Sequence, residues 1–183
     1  MATLLAVCAV VRLRPDAGSV GVTAIDKRAV DGDVRIGRYG VYADVQADRK
    51  HHGGPDKAVY AYAQEDADFW ARELDRELRP GVFGENLRTT GMDVNAARVG
   101  ERWRIGRRVE LEVTMPRTPC QTFARWIGGE HERGWVKRFA AARRLGPYLR
   151  VVTPGTVRAG DEIVVVDRPA DAPTILDVFR APA

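Results

Sequence analysis

Cysteine is scarce in this chain, with two among 183 residues. Cys8 and Cys120 stand far apart, so there is neither a disulfide framework nor a CxxC zinc motif, and a reducing cytoplasm is the default compartment. The three histidines form no pair at the H-x₃₋₅-H spacing of a zinc site. Lysine is rare too: of 29 basic residues only Lys27, Lys50, Lys57 and Lys137 are lysines. The basic residues are scattered among 25 acidic ones for a net charge of +4, so no direct binding to a nucleic-acid polymer is expected. A pocket for one phosphate or similar anion suits that balance better. No apolar run approaches the roughly 20 residues that span a bilayer, so no membrane partner is expected. The apolar stretch Leu4 to Val11 lacks a basic leader and a small-residue cleavage site, and reads as a buried strand rather than a signal peptide. No repeat, no regular βαβ alternation and no glycine-rich phosphate loop after a first strand is present, which argues against a Rossmann fold. Nor is there a flavin, haem or iron–sulfur motif.

What the chain does have is short valine-rich runs bounded by Gly, Asp or Pro. They include "LLAVCAVV", "SVGVTAI", "VRIG", "VYADV", "KAVYAYA", "RVELEVTM", "YLRVVT" and "DEIVVVD". Helices are predicted over "QEDADFWARELDREL", with Trp70, Leu74 and Leu78 on one face and Pro80–Gly81 as the stop, and over "GWVKRFAAARRLG", ended by Gly146. "CQTFARWIG" reads as a shorter helix opening at Cys120 behind Pro119. With 45% hydrophobic and 30% charged residues, the expectation is one mainly β domain over residues 1–167. It is a closed β-barrel of short antiparallel or mixed strands with a few α-helical insertions. The Pro-rich tail, 168–183, is expected to leave the barrel and be partly ordered.

Three stretches could carry chemistry. In "DRKHHGGPDKAVYAY", His51 or His52, the N–H groups of Gly53 and Gly54, and Lys57 suit an anion, while the same residues also suit a tight turn capped by Asp56. Neighbouring histidines point to opposite sides of an extended chain, so at most one of the two is expected to face a site. In "PGVFGENLRTTG", Glu85 and Asn86 offer a carboxylate and an amide beside Gly84, fit either for the edge of a heterocycle or for satisfying a buried loop. In "MPRTPCQTFARW", Cys120 lies between Arg117 and Arg125 at an expected helix start, three features that favour a thiolate over a plain buried thiol. A thiolate suits a soft or high-valent transition metal, or nucleophilic chemistry with His52 or His131 as base. Cys8, in an apolar strand, reads as core.

Taken in order, "TAIDKRAV" (23–30), "DVQADRKHHGGPDKAVYAY" (44–62), "FGENLRTTG" (83–91), "VGERWRIG" (99–106) and "MPRTPCQTF" (115–123) resemble the MOSC domain family, named for the C-terminal domain of molybdenum cofactor sulfurase. The similarity is to its small bacterial stand-alone members. The resemblance implies a MOSC-type β-barrel and a molybdopterin-type molybdenum cofactor, with Cys120 as catalytic thiolate ligand to the metal. It implies a cofactor pocket lined by Lys27, His52, Gly53, Gly54, Lys57, Asn86 and Arg117. It implies reduction of N-hydroxylated small molecules, hydroxylaminopurine-type bases or amidoximes, with electrons from an external donor protein. A cofactor-binding or sulfur-carrier role through a Cys120 persulfide is the alternative, and thiol-dependent hydrolysis a third. No pyridoxal-phosphate domain has room in this length. The β-barrel domain that accompanies mitochondrial amidoxime-reducing relatives has none either, which implies an open site or a homodimer that covers it.

Overall fold

The protein is described from a computed structural model, which covers residues 1–48, 52–128 and 133–180. The apolar opening run forms β1 (Thr3–Val10), and it is mostly buried. β2 (Arg14–Pro15) and β3 (Val22–Thr23) make a small hairpin that pairs with no other strand. β4 (Lys27–Val30), β5 (Val34–Gly37) and β6 (Gly40–Val41) follow. β7 (Val59–Ala63) is buried at all five positions, as a strand covered on both faces must be. α1 (Gln64–Glu73) leads through the loop 80–86 to β8 (Leu87–Thr90). β9 (Arg102–Ile105) and β10 (Val109–Pro116) form an antiparallel pair. α2 (Gln121–Gly128) and α3 (Trp135–Ala142) lie between β10 and β11 (Pro147–Thr153). β12 (Gly155–Val157), β13 (Ile163–Asp167) and the single turn α4 (Ile175–Val178) complete the order.

The main sheet runs β13-β9-β10-β11-β7-β8-β1-β4, antiparallel except for the parallel pair β7–β8. A smaller sheet, β12-β5-β6, lies beside it. The expected mainly β architecture with helical insertions is present. Closure is less than a full ring: Leu4 donates to the Asp161 carbonyl (2.9 Å), Gly160 to that of Leu4 (2.8 Å) and Ile163 to that of Ala2 (2.9 Å), joining the start of β1 to the start of β13 at one corner.

Two apolar cores result. One fills the sheet side with Leu4, Ile36, Leu87, Trp103, Leu111 and Leu149. The other is aromatic and packs the three longer helices against β7: Phe139 stacks on Trp70 at 5.5 Å and meets Phe123 edge-on at 4.9 Å, and Tyr62 stacks on Phe83 at 4.2 Å. This second core backs the functional cavity.

Several elements end earlier than their sequence patterns predict. α1 stops at Glu73 because Asp75 adopts a left-handed conformation (φ 47°), five residues before Pro80. α3 ends in the same way at Arg143 (φ 54°), ahead of Gly146. "VYADV" leaves the sheet after Val41 so that Asp44 can turn inward, and Lys57 lies in a 3₁₀ turn (Pro55–Lys57) rather than opening a strand. The tail leaves the sheet after Asp167 but packs back on the domain over residues 168–180. Arg98 donates to the carbonyls of Ala170 and Ala172, Thr174 and Asp177 form a capping box on α4, and Ile175 and Phe179 are buried. Residues 181–183 lie outside the described part.

Candidate functional site

β10 ends at Pro116, and the stiff "RTP" segment carries the chain across to α2, so that Cys120 stands at the N-terminal cap of that helix. Its carbonyl accepts from the Ala124 N–H at 3.0 Å. The thiol is half-buried, and burial alone disfavours its charged form. Opposing that are a hydrogen bond from His52, the positive guanidinium of Arg117, the charge of the imidazole and the N–H of Phe123. Together they bring the thiol down to about 6.

His52 reaches this position from the 44–57 loop, and its Nδ1 lies 3.1 Å from the hydroxyl of Tyr148 on β11. Burial pushes the Tyr148 phenol up to about 12, so it keeps its proton. The other imidazole nitrogen is left for the Cys120 sulfur. Lys57 places its Nζ 5.9 Å from the centre of the Tyr148 ring. Arg117 is only 4% exposed. Its guanidinium lies on the Phe123 face at 4.2 Å and donates to the Thr118 carbonyl at 3.1 Å, but among the described residues no carboxylate neutralises it. Beside the Cys120 thiolate this buried cation adds a positive charge to the cavity wall, which a bound anion would complement.

Across the cavity the polar groups serve one another. The Asp44 carboxylate accepts from Lys27 Nζ at 2.6 Å, Asn86 Nδ2 at 2.7 Å and the Val10 N–H at 3.0 Å. Asn86 also accepts from the Tyr60 N–H at 3.2 Å, tying this cluster to β7. The loop that presents Asn86 is built around Glu85, whose carboxylate takes the N–H groups of Gly81 (2.6 Å) and Phe83 (3.0 Å) and pairs with Arg88 at 2.5 Å, both side chains being fully buried. Gly81 adopts φ 89° and its α-carbon abuts the carbonyl of Lys27, leaving no room for a side chain.

The remaining wall is the β2–β3 hairpin. Asp16, just beyond β2, accepts from Arg125 Nε (3.0 Å) and Nη2 (2.8 Å) and from the Thr122 hydroxyl (2.9 Å), both on α2. Val20, Val22 and Ile25 give this wall an apolar lining.

These walls enclose a cavity of about 530 Å³, within the range of small-molecule and cofactor sites. Lys27, His52, Lys57, Asn86, Arg117 and Cys120 all border it. Gly53 and Gly54 do not; the Gly54 N–H, expected to face an anion, is taken by Gln46 Oε1 at 2.9 Å. His51 and His131 lie outside the described residues. Three bordering residues that sequence reasoning did not single out are Asp44, Tyr148 and Asp16. Asp44 stands inside the quoted "DVQADRKHHGG" stretch and was within reach; Tyr148 and Asp16 meet partners 96 and 109 positions away, with no local signal. Among the described residues no group of three His, Cys, Asp or Glu side chains could hold a metal, so a metal here would take Cys120 as a protein ligand and the rest from a cofactor.

The MOSC domain family profile matches residues 48–164. The chain is 34% identical over 146 residues to YflK of Bacillus subtilis and 31% identical over 161 residues to YiiM of Escherichia coli, covering 80% and 81% of this chain and 64% and 66% of theirs. It thus spans slightly less than two thirds of the length of these relatives. A protein of Gibberella moniliformis named "Reductase" is 32% identical over 164 residues, covering 86% of this chain and 28% of its own length. Among solved structures, YiiM of Geobacillus stearothermophilus superposes with a TM-score of 0.76 at 25% identity, over 96% of this chain and 80% of that one. No helix among the described residues is long and apolar enough to cross a membrane.

Proposed function

The chain belongs to the MOSC domain family, and on that premise we propose that its cavity takes up a molybdopterin-type cofactor with the Cys120 sulfur as protein ligand to molybdenum. We propose further that the loaded protein is an oxidoreductase for N-hydroxylated substrates, such as hydroxylaminopurine-type bases or amidoximes. MOSC domains are associated with this cofactor, and one relative carries the name reductase. The observation that supports the reading most is the pairing, on one cavity wall, of a low-pKa thiol with a buried guanidinium that has no carboxylate partner among the described residues. A thiolate metal ligand and an anion-binding cation are the two groups that a phosphate-bearing metal cofactor requires.

The bound cofactor supplies two-electron redox chemistry at the metal. Cys120 is ready to ligate near neutral pH without losing a proton at that moment. His52 holds the sulfur from one side and is itself held by Tyr148, which keeps the imidazole from rotating away. Arg117 offers guanidinium N–H donors to a phosphate, and Lys57 lies on the same side of the cavity. The apolar lining from Val20, Val22 and Phe83 suits a flat, uncharged substrate. Electrons would come from a donor outside these 183 residues, which carry no flavin, haem or iron–sulfur motif.

Made in a host that synthesises the cofactor, the chain is expected to carry roughly one molybdenum and one pterin per molecule, and Cys120→Ser to lose most of the metal. A Cys120→Ser protein that keeps stoichiometric molybdenum would overturn the ligand assignment. The lowered thiol pKa also favours a second reading, a sulfur-carrier module with Cys120 as a persulfide. Mass spectrometry separates the two: a sulfur adduct on Cys120 in protein that turns over no N-hydroxylated substrate supports the carrier.

A further inference from the structure

The hairpin over the cavity is fixed at one end and latched at the other. At its base Asp26, buried to 1% exposure, accepts from Arg14 Nε at 2.8 Å and pairs with Arg79 at 3.3 Å, anchoring the hairpin to the 79–86 loop. Its tip pairs with no strand of either larger sheet. Among the described residues two side chains tie the hairpin to α2, the helix that starts directly after Cys120: Arg14, whose guanidinium lies 5.1 Å from the centre of the Trp126 ring, and Asp16, at the start of the turn, whose two oxygens accept from Arg125 and Thr122. Asp16 Oδ2 also accepts the Gly18 N–H at 3.0 Å, so the same carboxylate shapes the tip that it fastens. Beyond Asp16, Gly18, Ser19 and Val20 of the turn and Val22 of the return strand border the cavity, and both valines remain more than 40% exposed. That exposure is what a movable apolar wall shows, and it differs from the fully buried residues of the cores behind it.

We propose that Asp16 is a specificity-determining positioning residue: its ion pair with Arg125 holds the 14–23 hairpin closed over Cys120 and so sets the size of molecule that reaches the sulfur. Small molecules pass with the latch shut. Wider, flat ones need the tip to swing about the Asp26 anchor, breaking the bidentate pair. Asp16 touches no reacting atom in this scheme; it acts through the wall it positions. The role differs from cofactor binding and is tested without cofactor, so its failure leaves the cofactor reading intact.

The test compares two uncharged maleimides with the same reactive head, N-ethylmaleimide and N-(1-pyrenyl)maleimide, on the cofactor-free 183-residue chain. Peptide mass spectrometry follows the adduct on Cys120, since Cys8 is fully buried and its thiol is pushed up to about 12. Taking the ratio of the two rates cancels any change in sulfur reactivity caused by the lost Asp16 charge. Asp16→Asn is expected to raise the pyrenyl-to-ethyl rate ratio roughly fivefold over wild type, the factor that loss of a well-formed, partly exposed ion pair yields. Gly18→Ala provides a second route that leaves every charge in place, because its new methyl would stand 2.8 Å from Asp16 Oδ2, so that the carboxylate has to shift and its pair with Arg125 loosens. The same rise is expected there, and this variant decides the matter if Asp16→Asn loses its far-ultraviolet circular dichroism. A ratio that stays at the wild-type value in a folded variant, or rates for both reagents that rise by one common factor, overturns the proposal.

Discussion

At the scale of single residues, Cys120 is a thiol whose contacts outweigh its own burial. Its folded value near 6 lies below the ordinary 9.0, so between those values the folded chain binds fewer protons than the unfolded one. The stabilisation from the thiolate's contacts is therefore complete above pH 9 and is lost as pH falls through about 6. In cofactor-free protein, the iodoacetamide rate at Cys120 should rise with a midpoint near pH 6, and His52→Ala should move that midpoint up towards the ordinary thiol value. A pH profile identical in the two proteins would show that His52 has no part in it. How much of this was legible in the sequence follows the same residue. Pro119, Arg117 and the helix start are local, and they mark Cys120 without knowledge of the fold. His52 could be narrowed only to one of two neighbouring histidines, because which one faces the sulfur depends on the path of the 44–57 loop. Tyr148 left no trace, since a tyrosine in a valine-rich strand reads as packing. The glycines beside His52 suit an anion or a turn equally in sequence, and the Gly54 N–H is taken by Gln46.

At the scale of elements, the loop between α1 and β8 shows how a polar segment can be structural and site-forming together. Glu85 organises the loop by accepting two backbone N–H groups and Arg88, with no exposure to water. Removing one partner of such a pair strands the other charge, so Glu85→Ala should cost about 3–5 kcal/mol in urea unfolding, and Asn86 should lose its hold on Asp44. A loss below 1 kcal/mol would mean that Arg88 finds water or another acceptor. Sequence alone offered two readings of "GEN", a ligand edge or a satisfied loop, and the structure divides them by residue: Glu85 faces inward to its loop and Asn86 borders the cavity. "LRTT" could not be read as a strand, because its alternation is weak and its partner, β7, runs parallel to it across a helix. The helix ends were mistaken in the same manner. Asp75 and Arg143 take left-handed turns that glycine usually supplies, and tertiary packing selects them.

For the whole molecule, the segment after β13 behaves as part of the domain. Ile175 is fully buried within the sheet-side core, and Phe179 is nearly so in the aromatic one. Ile175→Ala should cost about 2–5 kcal/mol and lower the thermal midpoint, and a chain cut after Asp167 should fall at least as far. A truncated chain with an unchanged midpoint would show that the tail only rests on the surface. Composition could not forecast this, because proline-rich segments without periodicity resemble linkers until a core is seen to accept them. The corner where Ala2 and Leu4 bond residues 160–163 has a further consequence, one of timing. β4 covers only the Val7–Val10 end of that edge of β1, so among the described residues the other end has no partner until residues 160–163 have been made. The first strand of this domain is therefore among the last to be completed. Until then the domain carries an open strand edge, and that interval is when it is most exposed to aggregation.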